Sequence, residues 1–230
     1  MTSEHDTATP AAGGAYTGRV TVGGPADTRA LPGLMVTKVA VGPMNNNAYL
    51  LRCPTTGEQL LIDAANEPGT LLTLIGDAGL ATVVTSHRHS DHVQALAEVV
   101  AATGATTVAH ADDAAEIPVP TARIIHDGDG VTVGRATLRA IHLVGHTPGS
   151  VALLYDADPA APHLFTGDCL FPGGPGRTTT PDEFTSLMDD LERKVFGPLP
   201  DETWVYPGHG WDSTIGAERP HLAEWRARGW

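Results

Sequence analysis

Residues 85–92 read Thr-Ser-His-Arg-His-Ser-Asp-His, and they join two segments of different character. The segment 81–86 is an apolar run that ends in Thr and Ser, which is typical of a buried strand. The segment 93–103 has apolar residues at helical spacing, and Gly104 ends it. The polar stretch therefore lies at a corner between a predicted strand and a predicted helix.

Four side chains at this corner are of types that bind metal ions. Side chains two residues apart in an extended segment point the same way, so His87 and His89 can face one ion. Asp91 and His92 open the helix and can turn towards a second point nearby. This concentration of ligand-type side chains predicts a metal site at the corner.

Three further polar clusters follow predicted strands, and glycine flanks the ligand-type residue in each. His146 lies in Gly-His-Thr-Pro-Gly, Asp168 in Thr-Gly-Asp-Cys and His209 in Pro-Gly-His-Gly. Glycine allows the backbone to pass close to a bound ion. The four clusters together supply five histidines and two aspartates, which suffice for two cations with a carboxylate as their bridge.

The remaining sequence predicts many short strands with helices after each half, and therefore an α/β fold of two sheets with outer helices. The clearest helix is predicted over 181–196. Thr180 can cap its start, Pro181 suits its first turn, and Glu183 completes a capping box.

The length of 230 residues and an apolar content of 41% suit one packed domain. We expect residues 1–24, rich in Ala, Gly, Thr and Pro, to form a mobile tail, and residues 25–230 to form the domain. The first residues lack the basic and apolar regions of a signal peptide, so we expect a cytoplasmic protein.

The formal net charge is −13, and the chain has no run rich in Lys or Arg. Such a surface repels phosphate backbones and anionic membranes, so we expect a small-molecule substrate and no nucleic-acid or membrane partner. No stretch approaches the roughly 18 apolar residues of a membrane span. The sequence leaves the oligomeric state open, a homo-oligomer included.

The motifs His-x-His-x-Asp-His, Gly-His-Thr-Pro-Gly, Thr-Gly-Asp and Pro-Gly-His-Gly resemble, in this order, those of the metallo-β-lactamase superfamily. The resemblance extends from Leu34 to the C-terminus and implies an αββα four-layer sandwich with metals at the strand ends between the sheets. Within the superfamily the chain is most similar to single-domain glyoxalase II-like hydrolases. The loop over 167–178 also resembles that of persulfide dioxygenases.

The resemblance also implies how the ligands divide between two divalent metal ions. We expect zinc, with iron or manganese as alternatives. Each cation takes three residues, and a shared carboxylate bridges the two. The first cation is expected to bind His87, His89 and His146, the second Asp91, His92 and His209, with Asp168 as the bridge.

Two residues outside the ligand set are expected to support the site. The Leu-Ile-Asp-Ala stretch at 61–64 resembles the superfamily's first motif, which makes Asp63 the partner of a ligand histidine; a plain turn carboxylate is the alternative. Arg177 lies on the glycine-rich loop and could bind a substrate carboxylate or anchor the loop. We expect it to anchor the loop.

Two zinc-like ions carry about +4, and two aspartates with a hydroxide return about −3, so the site keeps roughly +1 for a developing oxyanion. Metal binding lowers the pKa of water to about 7. We therefore expect a metal-bound hydroxide to hydrolyse a small acyl thioester. Asp91 and Asp168 are the expected catalytic residues, and Asp91 would orient the hydroxide.

Two other activities use the same residues. The first is a persulfide dioxygenase, in which a single iron is held by His87, His146 and Asp168, a facial two-histidine, one-carboxylate set. The second is a lactonase or another ester hydrolase at the same site. The glutathione thioester itself is in doubt as a substrate, because the C-terminal helical domain of full-length glyoxalase II has no counterpart in the sequence.

Overall fold

The computed structural model describes residues 15–229. Seven strands form the first sheet, in spatial order β1 to β7. They are β1 (Asp27–Leu31), β2 (Leu34–Val41), β3 (Asn46–Arg52), β4 (Gln59–Ile62), β5 (Thr82–Val84), β6 (Thr106–His110) and β7 (Arg123–Ile125). Neighbours from β1 to β4 are antiparallel, and those from β4 to β7 are parallel.

The second sheet and a short ribbon contain the other strands. They are β8 (Gly130–Val133), β9 (Ala136–His142), β10 (Val151–Tyr155), β11 (His163–Gly167), β12 (Leu170–Phe171), β13 (Gly174–Pro175), β14 (Trp204–Pro207) and β15 (Ser213–Thr214). The sheet order is β15-β14-β11-β10-β9-β8, while β12 and β13 pair with each other as the ribbon. Only β11 and β14 run parallel among the sheet's described strand pairs.

Helices cover the outer faces of both sheets. They are α1 (Pro68–Ile75), α2 (Leu96–Thr103), α3 (Ala111–Ala114), α4 (Pro181–Asp190), α5 (Ile215–Glu218) and α6 (Leu222–Arg228). A π-helical turn, Leu191–Phe196, prolongs α4, so the predicted helix over 181–196 and its capping box are confirmed. Within residues 15–229, none of the helices has the length and apolar character needed to cross a bilayer.

The side chains of β10 show how four layers arise from one alternating pattern. Val151 and Leu153 lie in a core between the two sheets, whereas Leu154 lies in a second core with Leu187 of α4. Successive side chains of a strand point to opposite faces, so a strand buried on both faces must be apolar throughout. A third core packs the first sheet against α1 and α2, with Leu61 among its members. The expected αββα sandwich is confirmed.

The helix predicted over 93–103 begins later in the structure, at Leu96. The amide of Gln94 donates to the carbonyl of Ala65 at 3.0 Å instead of to the preceding turn. This contact ties the corner to the loop after β4, and helix formation starts only beyond it. Apolar spacing alone could not reveal a backbone contact made nearly thirty residues away.

Part of the predicted tail packs against the domain. Within residues 15–24, Tyr16 donates its hydroxyl to Asp212 at 2.7 Å, and the carbonyl of Gly18 accepts from Lys38 Nζ at 2.8 Å. Lys38 is fully buried, and a buried ammonium needs such partners. The packed part of the chain therefore begins before the predicted boundary at residue 25. The rest of the predicted tail, 1–14, lies outside the described residues.

The start of α4 gives a test of local stability. Thr180 Oγ1 accepts from the Glu183 amide at 3.2 Å, and Glu183 Oε2 accepts from the Thr180 amide at 2.9 Å. We expect Thr180→Ala to lower the free energy of unfolding by about 1 kcal/mol, because it leaves a helix amide without its cap. Urea denaturation followed by circular dichroism measures the change.

Thr179→Ala is the matched control. The Thr179 side chain is exposed, and its hydroxyl makes no hydrogen bond within the described part of the chain. Equal unfolding midpoints for the two variants would contradict the role of the cap.

Candidate metal centre

The seven predicted ligands lie together at one end of the two sheets, on the loops that follow β5, β9, β11 and β14. The loop after β5 supplies four of them, and each of the other loops supplies one. They are His87, His89, Asp91, His92, His146, Asp168 and His209. Residues far apart in the sequence meet here because the C-terminal ends of these strands face the same edge.

The loop after β5 turns so that its ligands separate into two groups. His89 is extended, and a 3₁₀ turn, Ser90–His92, follows it with the His92 amide donating to the His89 carbonyl at 3.0 Å. The extended part directs its histidines to one group, and the turn directs Asp91 and His92 to the other. Two features expected from the sequence produce this separation. They are the alternation of side chains in the extended part and the turn at the start of the helix.

Glycine is required at position 208 in the loop that carries His209. A Cβ atom built there would lie 2.1 Å from Asp168 Oδ1 and 2.9 Å from His92 Cε1. The Gly208 amide donates to the Gly167 carbonyl at 2.8 Å, which holds the two ligand loops side by side. Glycine thus permits the close approach on which the cluster depends.

The first group consists of His87, His89 and His146, whose ligand atoms lie within 4.8 Å of one another. The Nε2 atoms of His87 and His146 are 3.2 Å apart. Two nitrogens that bind one tetrahedral zinc ion at 2.0–2.1 Å are about 3.3 Å apart. The spacing of this pair therefore fits a shared cation.

The second group consists of Asp91, His92 and His209, and its ligand atoms are equally close. The Nε2 atoms of His92 and His209 are 3.2 Å apart, and His209 Nε2 lies 3.3 Å from Asp91 Oδ2. The donor set of two imidazoles and one carboxylate suits zinc and iron alike.

The carboxylate of Asp168 lies between the groups. Its Oδ1 is 3.3 Å from His92 Nε2, and its Oδ2 is 3.4 Å from His209 Nε2 and 3.7 Å from His146 Nε2. Oδ1 is buried and receives no hydrogen bond from any described residue. A buried carboxylate oxygen without a partner is costly, and a cation would compensate for it. The residues present therefore fit two divalent cations joined by this carboxylate.

Burial and neighbouring charges set protonation states that suit metal binding. Burial, reinforced by nearby histidines such as His92, holds the pKa of His87 well below its usual range, so its imidazole is neutral. Burial alone would raise the pKa of Asp168, but the imidazoles of His209 and His92 beside it outweigh burial and hold that pKa well below its usual range. An anionic bridge beside neutral imidazoles is the state that metal ligands require.

His92 behaves differently because it lies between two carboxylates. Burial alone would lower its pKa, but the neighbouring carboxylates of Asp168 and Asp63 raise the pKa of His92 to about 10. A cation that binds Nε2 takes the place of the proton there, so metal binding at this residue releases a proton.

Asp63 orients one histidine of each group. It is buried at the end of β4, and its carboxylate accepts from His92 Nδ1 at 2.9 Å and from Ser86 Oγ at 2.7 Å. Ser86 Oγ in turn accepts from His87 Nδ1 at 3.0 Å. A proton on each Nδ1 leaves the Nε2 lone pair of His87 and His92 free for a metal.

Backbone carbonyls do the same for two of the other three histidines. His146 Nδ1 donates to the Arg177 carbonyl at 2.7 Å, and His209 Nδ1 donates to the Met44 carbonyl at 3.0 Å. The Arg177 side chain is exposed and makes no hydrogen bond or ion pair within residues 15–229, so its backbone rather than its guanidinium supports the ligand. The sequence could not distinguish these roles.

Two supporting residues have no counterpart in the expected set. Asn46 Nδ2 donates to Asp91 Oδ2 at 2.8 Å. Asp113 is buried and accepts from the Arg88 amide at 3.0 Å and from Thr147 Oγ1 at 2.6 Å, which joins the loop after β5 to the loop of His146. The spacing of the ligand motifs gives no indication of these contacts, since Asn46 begins a strand and Asp113 lies in a short helix.

Known proteins resemble this chain in sequence and in fold. Residues 41–209 match the profile of the metallo-beta-lactamase superfamily. A hydroxyacylglutathione hydrolase from Polaromonas sp. strain JS666 is 34% identical over 179 residues, which cover 76% of this chain and 66% of that protein. A second protein of that name, from Fuscovulum blasticum, is matched over 62% of its length. The chain thus spans two thirds or less of these relatives.

Two solved structures with the same fold are also related in sequence. The crystal structure of ETHE1 from Myxococcus xanthus has a TM-score of 0.72 and 28% identity, covering 84% of each chain. The crystal structure of TTHA1623 in a di-iron-bound form has a TM-score of 0.66 and 33% identity, covering 79% of this chain and 96% of that one. With the match over residues 41–209, these likenesses show that the chain belongs to the metallo-β-lactamase superfamily.

Proposed function

We propose that this chain is a metal-dependent hydrolase that cleaves a small acyl thioester at two divalent cations. The observation that carries the proposal is the pair of ligand groups that share the carboxylate of Asp168. Three unshared residues and one shared carboxylate would leave a fifth position at each cation for water or substrate, since zinc at catalytic sites can expand to five-coordinate.

The names of the relatives favour a thioester. A hydroxyacylglutathione hydrolase acts, by its name, on an acyl thioester of glutathione. This chain spans 62% to 66% of the length of the relatives described above. We therefore propose an acyl thioester as the substrate of this chain, and the experiments below test which thiol it carries. Divalent cations bound here would lower the pKa of a coordinated water to about 7 and polarise the substrate carbonyl.

Asp91 is the residue that we propose to accept the proton of the attacking water. Its Oδ2 accepts from Asn46 Nδ2, which fixes the carboxylate plane, and its Oδ1 takes no hydrogen bond from another described residue. The side chain is 16% exposed, so water reaches it, whereas His92 beside it is fully buried. We assign to Asp91 the orientation of the water and the transient acceptance of its proton.

The thiolate that leaves from a thioester needs little protonation by the protein. A thiol with a pKa near 8.5 departs as a thiolate far more readily than an alcohol departs as an alkoxide. An ester or lactone would place a greater demand on proton donation, which is why we put a thioester first. Both alternatives would use the same ligand cluster.

The competing activity is a dioxygenase with one iron on His87, His146 and Asp168. The second ligand group supports two cations, because its ligand atoms are as close together as those of the first group. It consists of Asp91, His92 and His209. A dioxygenase that uses a single iron has no need of this second set. Metal content and oxygen consumption separate the two activities.

Removal of metal by a chelator should abolish thioester hydrolysis, because water is then no longer activated. We expect activity to return on loading with zinc or iron(II), with two ions per chain by elemental analysis. The measurement is thiol release from acyl thioesters of N-acetylcysteamine and of glutathione. One iron per chain together with oxygen uptake on a persulfide would reject the hydrolase in favour of the dioxygenase.

Asp63→Asn should weaken metal binding by 10- to 100-fold, because it perturbs the Nδ1 partners of one histidine in each ligand group. Competition with a chromophoric chelator measures the two affinities. Both ions are expected to bind more weakly, since His87 and His92 belong to different groups.

Asp77→Asn is the control, since Asp77 is an exposed carboxylate in the turn after α1. Unfolding of both variants by urea shows whether the fold is preserved. Metal affinities of Asp63→Asn equal to those of the control would refute the supporting role of Asp63.

A further inference from the structure

Two large apolar side chains close to His209, in contact or in sequence, are exposed. Among the described residues the exposed large hydrophobics are Val22, Met44, Ile124 and Trp211, with 60% exposure for Met44 and 56% for Trp211. These two are the most exposed of the four. Met44 provides the carbonyl that holds His209, and Trp211 lies two residues after it. Apolar side chains grouped at a site, unlike scattered ones, indicate a binding surface.

Trp211 is part of a small cavity that opens beside the ligand cluster. The cavity has a volume of about 300 Å³ and is lined by Phe171, Pro172, His209, Gly210 and Trp211. The ring centroids of Phe171 and His209 are 6.2 Å apart. Since His209 also belongs to the second ligand group, the cavity adjoins the metal centre at this residue. Its walls are predominantly aromatic and aliphatic.

The loop that carries the indole is firmly held. Asp212, the next residue, accepts from Lys38 Nζ at 2.6 Å, from Tyr16 Oη at 2.7 Å and from Trp204 Nε1 at 2.8 Å. The guanidinium of Arg19 lies 4.4 Å from the Trp211 ring centroid, a cation–π contact. An exposed apolar group on a rigid loop can bind a ligand without a large ordering cost.

We propose that this cavity, the Trp211 subsite, binds an apolar group of the substrate while the scissile carbonyl lies at the metal centre. The inference rests on the proposed hydrolase function and adds specificity to it. The apolar group is the acyl chain or the organic part of the thiol, and both present the same chemistry to Trp211 and Phe171. Each methylene buried here should raise kcat/KM up to about fourfold until the cavity is full.

Two series of thioesters distinguish the acyl side from the thiol side. The first has acetyl, butyryl and hexanoyl groups on N-acetylcysteamine, and the second has acetyl on ethanethiol, butanethiol and hexanethiol. The zinc-loaded full chain should show kcat/KM rising with length in one series and staying flat in the other. Flat profiles in both series, with thioesters still cleaved, would overturn the subsite and leave the hydrolase intact.

Substitutions of Trp211 link any length dependence to the subsite. Trp211→Ala should reduce the ratio of kcat/KM between the longest and the shortest substrate by at least tenfold, whereas Trp211→Phe should retain most of it. Ile124→Ser is the control, because Ile124 is exposed at 41% and does not line this cavity. An unchanged ratio in Trp211→Ala would overturn the proposal.

A binding measurement tests the subsite without turnover. Isothermal titration compares the S-methyl and S-hexyl thioethers of N-acetylcysteamine, which have no scissile carbonyl. The hexyl compound should bind at least tenfold more tightly to the unaltered chain, and this advantage should disappear in Trp211→Ala. Equal binding, or no binding of the hexyl compound, would overturn the subsite. A chain that cleaves no thioester but prefers the hexyl compound would disprove the hydrolase proposal alone.

Discussion

The burial of the Asp168 carboxylate is the main physical constraint on the site that the loops of both sheets form. It lies 3.3 to 3.7 Å from the Nε2 atoms of three histidines, and one of its oxygens receives no hydrogen bond from a described residue. A charge buried in this way costs several kcal/mol unless a partner neutralises it. The raised pKa of His92 means that, without a cation, a proton on this imidazole compensates for part of the charge. A bound cation would replace that proton and satisfy the carboxylate and the imidazole nitrogens together, so metal binding is expected to stabilise this end of the fold.

Loops rather than strands hold these ligands, and loops have no ladder of backbone hydrogen bonds to fix them. The fold compensates with buried charged groups that each join two segments. Asp63 fixes the loop after β5, Asp113 joins that loop to the loop of His146, and Lys38 joins the His209 loop to the segment at Gly18. A buried charge tolerates few arrangements of its partners, so such contacts favour one geometry of the ligands over others.

What the sequence could predict follows from how local each signal is. The His-x-His spacing, the capping box at Thr180 and the position of each ligand just after a strand are short-range patterns with a direct chemical meaning. Together with the family resemblance they were sufficient to predict the αββα sandwich and the members of the cluster. Nothing in one sequence pairs Lys38 with Asp212, 174 positions away, or Asp113 with Thr147, 34 positions away. The packing of residues 15–24 against the domain, before the predicted boundary at residue 25, was missed for the same reason.

The proposed metal centre and the proposed Trp211 subsite would recognise different parts of the substrate. In the proposed hydrolase, the cluster of imidazoles and carboxylates would act on the reacting bond, which is the same in every acyl thioester, and so could not by itself select one substrate. Selection must come from side chains that contact the rest of the molecule. Trp211 and His209 lie on the same loop, and the contacts of Lys38 with Gly210 and Asp212 fix both at once. The position at which the substrate's apolar group would bind is therefore fixed relative to the metal ligand His209. If the proposed subsite binds substrate, changes at Trp211 or Phe171 would alter substrate choice and leave the residues of both ligand groups in place.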